Sequence, residues 1–456
     1  MKQALDGIDL IAREVALFAA VGLLIGGIDD LLVDAIFLVR RAWRRGPARL
    51  RLATLPPATQ PGRIVVFVPA WDEAAVIGHM LTAALRRYRH VDFAIHVGLY
   101  PNDAATISVA RTIATHDPRV RLVIGTRPGP TSKADCLNTL WRDLAAGPHM
   151  PKAIVFHDAE DLVHAAELTV FDALIERYAV VQIPVLPLVR SGSRLVSGHY
   201  VDEFAESHLK GLVVRAALGA GLPLAGTGCA IRPDLLARLA ARRGGDPFDP
   251  ACMVEDYELG LAIARLGESG IFARVGDGEG SVVAVRSYFP DTLTAAVRQK
   301  ARWMCGIALS GWDRTGWSRA GALADHWMRM KDRSAPLAVL VLAASYLALV
   351  LWAAAALVHW AHGIPVPATG DVLDELLTIN AGLLGWRCLM RTVLTARAYG
   401  WRESLWSVPR LIVGNVVAIR AARRALGRYL LTLRGVRPTW DKTVHAFPET
   451  DAPERS

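Results

Sequence analysis

The chain has 456 residues, a formal net charge of +9 and a positive mean hydropathy of +0.28. At about 150 residues per domain this allows two or three structural units, and the apolar excess argues against a wholly water-soluble chain. The five cysteines are dispersed without CxxC spacing, which argues against a disulfide framework or a structural zinc site. The arginines border apolar segments with no recognition motif beside them, so nucleic acid is not expected as a partner.

Residues 1–45 read as an N-terminal transmembrane helix centred on 15–39, interrupted by Asp29, Asp30 and Asp34. Carboxylates at that depth need protein or water to face. Arg40, Arg41, Arg44 and Arg45 close the segment in the manner of a cytoplasmic flank. A Pro-containing linker follows, over 46–62.

From residue 63 short apolar runs alternate with helical periodicity, as in an α/β domain with a mostly parallel sheet. The first run, RIVVFVP, ends in Ala70-Trp71-Asp72-Glu73. Asp72 is placed to cap a helix whose Ile77, Met80, Leu81, Ala84, Leu85 and Tyr88 share one face. The absence of G-x-G-x-x-G after this strand disfavours a dinucleotide fold. The second run, FAIHVGL, is followed by Asp103 and a helix over 106–115. RLVIG is the third, followed by a helix over 133–144 that opens with Lys133, a charge suited to phosphate. AIVFH is the fourth and leads into Asp158, Glu160 and Asp161, before a helix over 165–178 and a fifth strand, VVQIPV.

Ligands of open α/β sheets bind beyond the carboxyl ends of the strands, where these three acid clusters fall. Acid-x-acid spacing lets two side chains reach one hard cation, Mg²⁺ or Mn²⁺, that also takes substrate phosphates. Capping alone does not require three acids in four residues. Further on, Glu255, Asp256 and Glu258 begin a helix. Asp256 is the candidate base for an acceptor hydroxyl, and complementing the helix dipole is the competing explanation. Gln299, Arg302 and Trp303 share a helix face that offers an amide, a guanidinium fork and a stacking surface. An interfacial Trp–Arg stripe would read the same way.

After a connector at 311–336, residues 337–398 read as transmembrane helices. The stretch 337–361 is almost free of charge, while 376–398 carries Arg387 and Arg391, expected to answer the aspartates of the first helix. Residues 399–456 read as an interfacial helix, at 411–419 with a basic run after it, and a tail.

In order and spacing, VPAWDE, Asp103, SKADCLN, HDAED, GTGCAIR, VEDYELG and QKARW resemble a membrane-bound family 2 glycosyltransferase of the GT-A fold. The resemblance covers roughly residues 60–310. YPND, HDAED, VEDYELG and the tail WDKTVHAFP are similar to the NfrB-type phage-adsorption members of that family. The resemblance implies a GT-A domain over 63–310. Asp72, Glu73, Asp103, Lys133 and Asp158 would bind the nucleotide sugar. Asp158 would also hold the metal, with Glu160 or Asp161 as second ligand. Asp256 would be the catalytic base, with Val254 where the family's motif has Thr. Glu255, Gln299, Arg302, Trp303, Thr227 and Gly228 would lie at the acceptor and diphosphate.

The expected activity is inverting transfer from a nucleotide-diphosphate sugar, with a UDP-sugar as first candidate, to a lipid-linked or polysaccharide acceptor. The expected location is the bacterial inner membrane, with the catalytic domain cytoplasmic and three spans in contact with membrane lipids. With so few spans, secretion is expected to need a partner protein or an oligomer. The competing expectations are a non-catalytic membrane receptor or assembly component, and a single-step glycolipid synthase.

Overall fold

A computed structural model describes residues 2–43, 50–60, 62–90, 92–278, 280–436 and 446–448. Arg44, Arg45 and residues 440–445 of the tail motif lie outside them.

Helix α1 (Lys2–Trp43) opens the chain. A two-residue strand β1 (Leu50–Arg51) later pairs with β9 (Val275–Gly276). The central sheet has seven strands: β2 (Ile64–Pro69), β3 (Phe93–Leu99), β4 (Val120–Ile124), β5 (Ala153–Phe156), β6 (Val180–Gln182), β7 (Cys229–Ile231) and β8 (Gly270–Phe272). Their order is β4-β3-β2-β5-β7-β6-β8. β2 is buried along its whole length, which is why it reads as an unbroken apolar run rather than an alternation.

Helices α2 (Ile77–Arg87), α3 (Ala104–His116), α4 (Lys133–Ala145) and α5 (Glu167–Leu174) follow β2, β3, β4 and β5 in turn, as the alternating pattern predicts. Three details differ. Asp72 does not cap α2, because a turn intervenes and the helix starts at Ile77 after Val76. α5 is shorter than the predicted 165–178. β7, not foreseen, pairs antiparallel with both β5 and β6.

α6 (Val196–Glu206) and α7 (Leu212–Ala217), joined by a π-helical turn at Ser207–Gly211, lie off the sheet. α8 (Pro233–Arg242) and α9 (Glu255–Arg265) return to it and pack in part on its second face. α10 (Leu293–Trp303) passes through a second π-helical turn at Met304–Leu309 into α11 (Ser310–Thr315) and α12 (Leu323–Arg333). The chain ends in α13 (Ala335–His362), α14 (Asp371–Tyr399), α15 (Trp401–Ser404) and α16 (Ser407–Leu433).

Among the described residues, two helices, α1 and α13, are long and apolar enough to cross a membrane. Their apolar surface is mostly uncovered: Ile25, Val350, Leu357 and Trp360 are exposed. They run antiparallel, with His359 meeting Asp9 at 3.0 Å near one end and Gly22 packed on Val341 further along, while Lys331 of α12, just before α13, meets Asp30 at 2.7 Å. The third expected span falls on α14, which is not apolar enough. It carries Asp371, Asp374, Glu375, Arg387, Arg391 and Arg397 along its length. Asn380 donates to the Ala20 carbonyl, Arg387 lies 3.8 Å from Asp30, and Trp386 donates to Asp34, so α14 runs parallel to α1. Half of the expected Arg–Asp pairing is therefore present, while Arg391 binds Glu206 of α6 instead.

α16 extends well beyond the predicted 411–419 and packs against α6 and α10 through Val417, Ala421 and Ala425. Its Arg410 is fully buried, donates to the Arg194 carbonyl and Glu403, and lies against the α6 backbone at Gly198. A Cβ at Gly198 would overlap the guanidinium. Gly198→Ala is therefore expected to destabilise the α6–α16 contact by about 1–3 kcal/mol, seen as a lower midpoint in thermal unfolding of the detergent-solubilised protein.

Candidate active site

The site forms at the carboxyl edge of the parallel strands. β7 runs the other way, so its beginning, Gly226-Thr227-Gly228, reaches the same edge as the end of β5. Topology thus brings sequence-distant acids together. The Lys133 ammonium, at the first turn of α4, lies 2.5 Å from Asp158 Oδ1, 3.6 Å from Glu255 and 3.4 Å from the Gly226 carbonyl. A Cβ built on Gly226 would sit 2.7 Å from Asp256 Oδ2 and 3.2 Å from Lys133 Nζ, and the residue has φ +75°. Lys133, Asp158, Glu255, Asp256 and the Gly226–Thr227 turn therefore share one pocket.

Burial works against the Lys133 charge, but Asp158, Glu255 and Asp256 hold the ammonium well above its ordinary range. Burial, then the neighbouring Glu255 charge, push the Asp256 carboxyl up to about 7, with Lys133 pulling the other way. A carboxylate of that proton affinity suits a general base near neutral pH. The first turn of α9 carries Glu255, Asp256 and Glu258, where the helix N-terminus favours negative charge.

Asp72, Glu73 and Asp103 form the adjoining part. Asp103 caps α3, accepting from the Thr106 amide at 3.2 Å, and also accepts from the Asp72 amide at 2.6 Å. The Glu73 amide donates to Thr106 Oγ1. Asp72 has φ +53°, a left-handed conformation uncommon outside glycine and often found where function demands it. Trp71 and Tyr100 pack edge-to-face against each other, and Tyr100 Oη bonds Thr131 and the Ser132 carbonyl just before Lys133.

Asp161 is where the structure departs from the expected metal set. It is 1% exposed, and its Oδ2 accepts from the Asp158 amide at 2.8 Å, from Thr227 Oγ1 and from the His157 ring at 3.0 Å. It braces the loop from inside and is unavailable to an ion. Among the described residues, no three His, Cys, Asp or Glu side chains are grouped to hold a metal by themselves. Asp158 is a third exposed and Glu160 is partly exposed. Hard oxygen donors of this kind fit a cation that takes one or two carboxylates and completes its shell with phosphates.

Gln299, Arg302 and Trp303 lie on α10 as the spacing predicts. Trp303 packs with Tyr200, Phe204 and Phe289. Gln299 Oε1 is buried without a hydrogen-bond partner. The π-helical turn that follows α10 presses Gly306 onto Val254, immediately before Glu255, so α10 meets the acid pocket through packing.

Several positioning residues carry no sequence signal beyond polarity. Gln182 is fully buried, donates to the Thr227 and Gly228 carbonyls, and accepts from the Ala225 amide. Asn102 makes a two-bond pair with Gly129. His157 joins Asp161 to Glu167.

The model of the family described as "Glycosyltransferase like family 2" matches residues 61–306. The chain belongs to this family. It is 34% identical over 97% of its length to bacteriophage adsorption protein B of Escherichia coli K12, and equally to bacteriophage N4 adsorption protein B of E. coli O157:H7. It spans 63% of the length of those relatives. Its fold is shared with a mannosyltransferase from Pyrobaculum calidifontis, solved with GDP-mannose and Mn²⁺. The TM-score is 0.57 at 20% identity, covering 91% of this chain and 99% of that one. The architecture is thus the GT-A fold, with apolar helices beside it.

Gly226→Ala should leave the sheet intact yet displace Asp256 and strain a positive φ. Stability should fall by about 1–3 kcal/mol in thermal unfolding. Any transferase turnover should fall further than that loss of folded protein explains.

Proposed function

We propose that this chain is an inverting glycosyltransferase that moves a sugar from a nucleoside-diphosphate donor to a membrane-associated acceptor. The observation that carries this reading is the pocket itself, where a phosphate-competent lysine, an accessible carboxylate and a carboxyl of raised proton affinity meet at one sheet edge.

In this reading Asp256 Oδ takes the proton of the acceptor hydroxyl. That oxygen forms the new bond to the anomeric carbon as the bond from carbon to the diphosphate oxygen breaks. The electron pair leaves with the nucleoside diphosphate, and the anomeric configuration inverts. Lys133 offsets the charge of the leaving group. A divalent cation bound by Asp158 and Glu160 would neutralise that diphosphate further. Asp72, Glu73 and Asp103 line the nucleotide side, and Thr227, Gly228, Gln299, Arg302 and Trp303 the acceptor and diphosphate side.

We place α1 and α13 across the inner membrane, with the sheet on the side of Arg40, Arg41 and Arg333, the cytoplasmic side by charge. The acceptor is then lipid-linked or a growing polysaccharide, and a partner protein would serve its export. The adsorption names of the relatives favour one second reading, a surface-assembly component that binds without turnover.

Full-length protein offered a panel of uridine- and guanosine-diphosphate sugars with Mg²⁺ or Mn²⁺ separates the two. The transferase releases nucleoside diphosphate and loses that activity on chelation. A binding component releases none. Asp256→Asn should reduce kcat by about 10²–10⁴-fold, and full transfer by that variant would sink the base assignment.

Because the base must be ionised, kcat/KM should rise with pH along a limb near 7. Stability moves the opposite way. A carboxyl with a raised folded value stabilises most below its unfolded value of about 4, and loses that contribution as pH climbs through about 7. Asp256→Asn should flatten the stability profile in that window, read by unfolding midpoints from pH 4 to 8.

A further inference from the structure

His157 lies behind the pocket and has no role in the chemistry above. It is 0% exposed, and each ring nitrogen faces a carboxylate: Nδ1 with Asp161 at 3.0 Å, Nε2 with Glu167 at 2.7 Å. Each ring nitrogen is thus engaged by a carboxylate, and Thr227 Oγ1 lies 3.2 Å from Nδ1 as well. Tyr88 Oη also donates to Glu167 Oε1, and the His164 amide to Oε2. On the site side, Asp161 Oδ2 gathers the ring, the Asp158 amide and the Thr227 hydroxyl.

These bonds tie together four segments: the end of α2, the start of α5, the turn after β5 and the turn before β7. The last two lie side by side on paired strands: the Gly228 amide bonds the Phe156 carbonyl at 2.9 Å, and the Asp158 amide and Thr227 hydroxyl both reach Asp161 Oδ2. Asp158 stands on the donor side, and Gly226–Thr227 abuts Asp256. The ring therefore helps orient the carboxylate that joins the Asp158 turn to the Thr227 turn. Without it, the Asp161 and Glu167 carboxyls would each lose a hydrogen-bond partner in the interior, where an unmet polar group is costly.

We propose that His157 is a positioning residue that sets how the Asp158 turn and the Thr227 turn sit against each other by orienting Asp161. The bond to Asp161 is the one that reaches the site, and the bond to Glu167 anchors the ring in the fold. The consequence for turnover rests on the transferase reading above, and the positioning itself can be measured without it.

The test separates the two nitrogens. In His157→Asn the amide nitrogen stands near the place of Nδ1 and keeps the bond to Asp161. In His157→Gln it stands near the place of Nε2 and keeps the bond to Glu167. Each variant keeps one of the two bonds, so their unfolding midpoints should fall alike. In the full-length protein, kcat should fall at least 30-fold in the Gln variant and no more than fivefold in the Asn variant, with the donor KM within threefold in each.

Amide hydrogen exchange should quicken at least tenfold in both 158–161 and 226–228 of the Gln variant, while β2 and β3 stay protected. If the Gln variant does not fold, Glu167→Gln, which loosens the ring from its anchor without touching either turn, should quicken the same two segments. Equal kcat and exchange in the Gln and Asn variants, or quickening confined to 157–161, overturns the proposal. If wild-type protein turns over no nucleotide sugar, the transferase reading fails, and the exchange comparison still decides the role of His157.

Discussion

A pocket that gathers carboxylates beneath a protein surface needs a cation to hold it together, and in this chain that cation is Lys133. Asp158, Glu255 and Asp256 all act on its ammonium, although they belong to segments nearly a hundred residues apart. Each carboxylate alone would be repelled by the others at this distance. With the lysine present, one carboxyl is left of intermediate proton affinity, and it is Asp256, squeezed between Glu255 and burial. The N-termini of α4 and α9 point their dipoles into the same region. Charge balance, rather than any single residue, makes the site possible, and the antiparallel β7 delivers the turn that closes it.

The sequence was most informative where the chain is most regular. β2, β3 and β5 announce themselves as apolar runs because both faces are covered, and the acids after them follow from where ligands bind in such sheets. Lys133, Asp158 and Asp256 could be named for that reason. What stayed hidden depends on direction and partner. β7 has three residues and no alternation to betray that it runs backwards. Asp161 sits in the same acid run as Asp158, and only coordinates show that one carboxylate faces the pocket while the other is taken by His157 and Thr227. Gln182, buried and bonded to three carbonyls, reads in sequence as any polar residue at a strand end.

The same logic explains α14. Its arginines lowered its apolar content, and they do so because they bind. Arg391 reaches the buried face of α6 through Glu206, and Arg387 approaches Asp30 of α1. Asp34, in turn, takes Lys210 from the glycosyltransferase-family region and Trp386 from α14. The aspartates that interrupt the first apolar helix are therefore docking points, Asp29 and Asp30 for α12 and α14 and Asp34 for Lys210 and α14, and they lie toward its arginine-flanked end.

Docking of this kind bears on chemistry through α16. That helix packs Ala421 and Ala425 on Ala301 and Cys305 of the α10 region, and its neighbours include Met253, two residues before Glu255. Its opposite face shows Ile412, Leu426 and Leu430 together with Arg420 and Arg423, the mixture expected of a helix lying along a charged lipid surface. A shift of α16 would therefore reach Trp303 and the Val254 contact at Gly306 before it reached the sheet. Lys133 and Asp158 are thus held by the ends of the sheet, while the Gln299–Trp303 side of the site is built on helices that rest against α14 and α16.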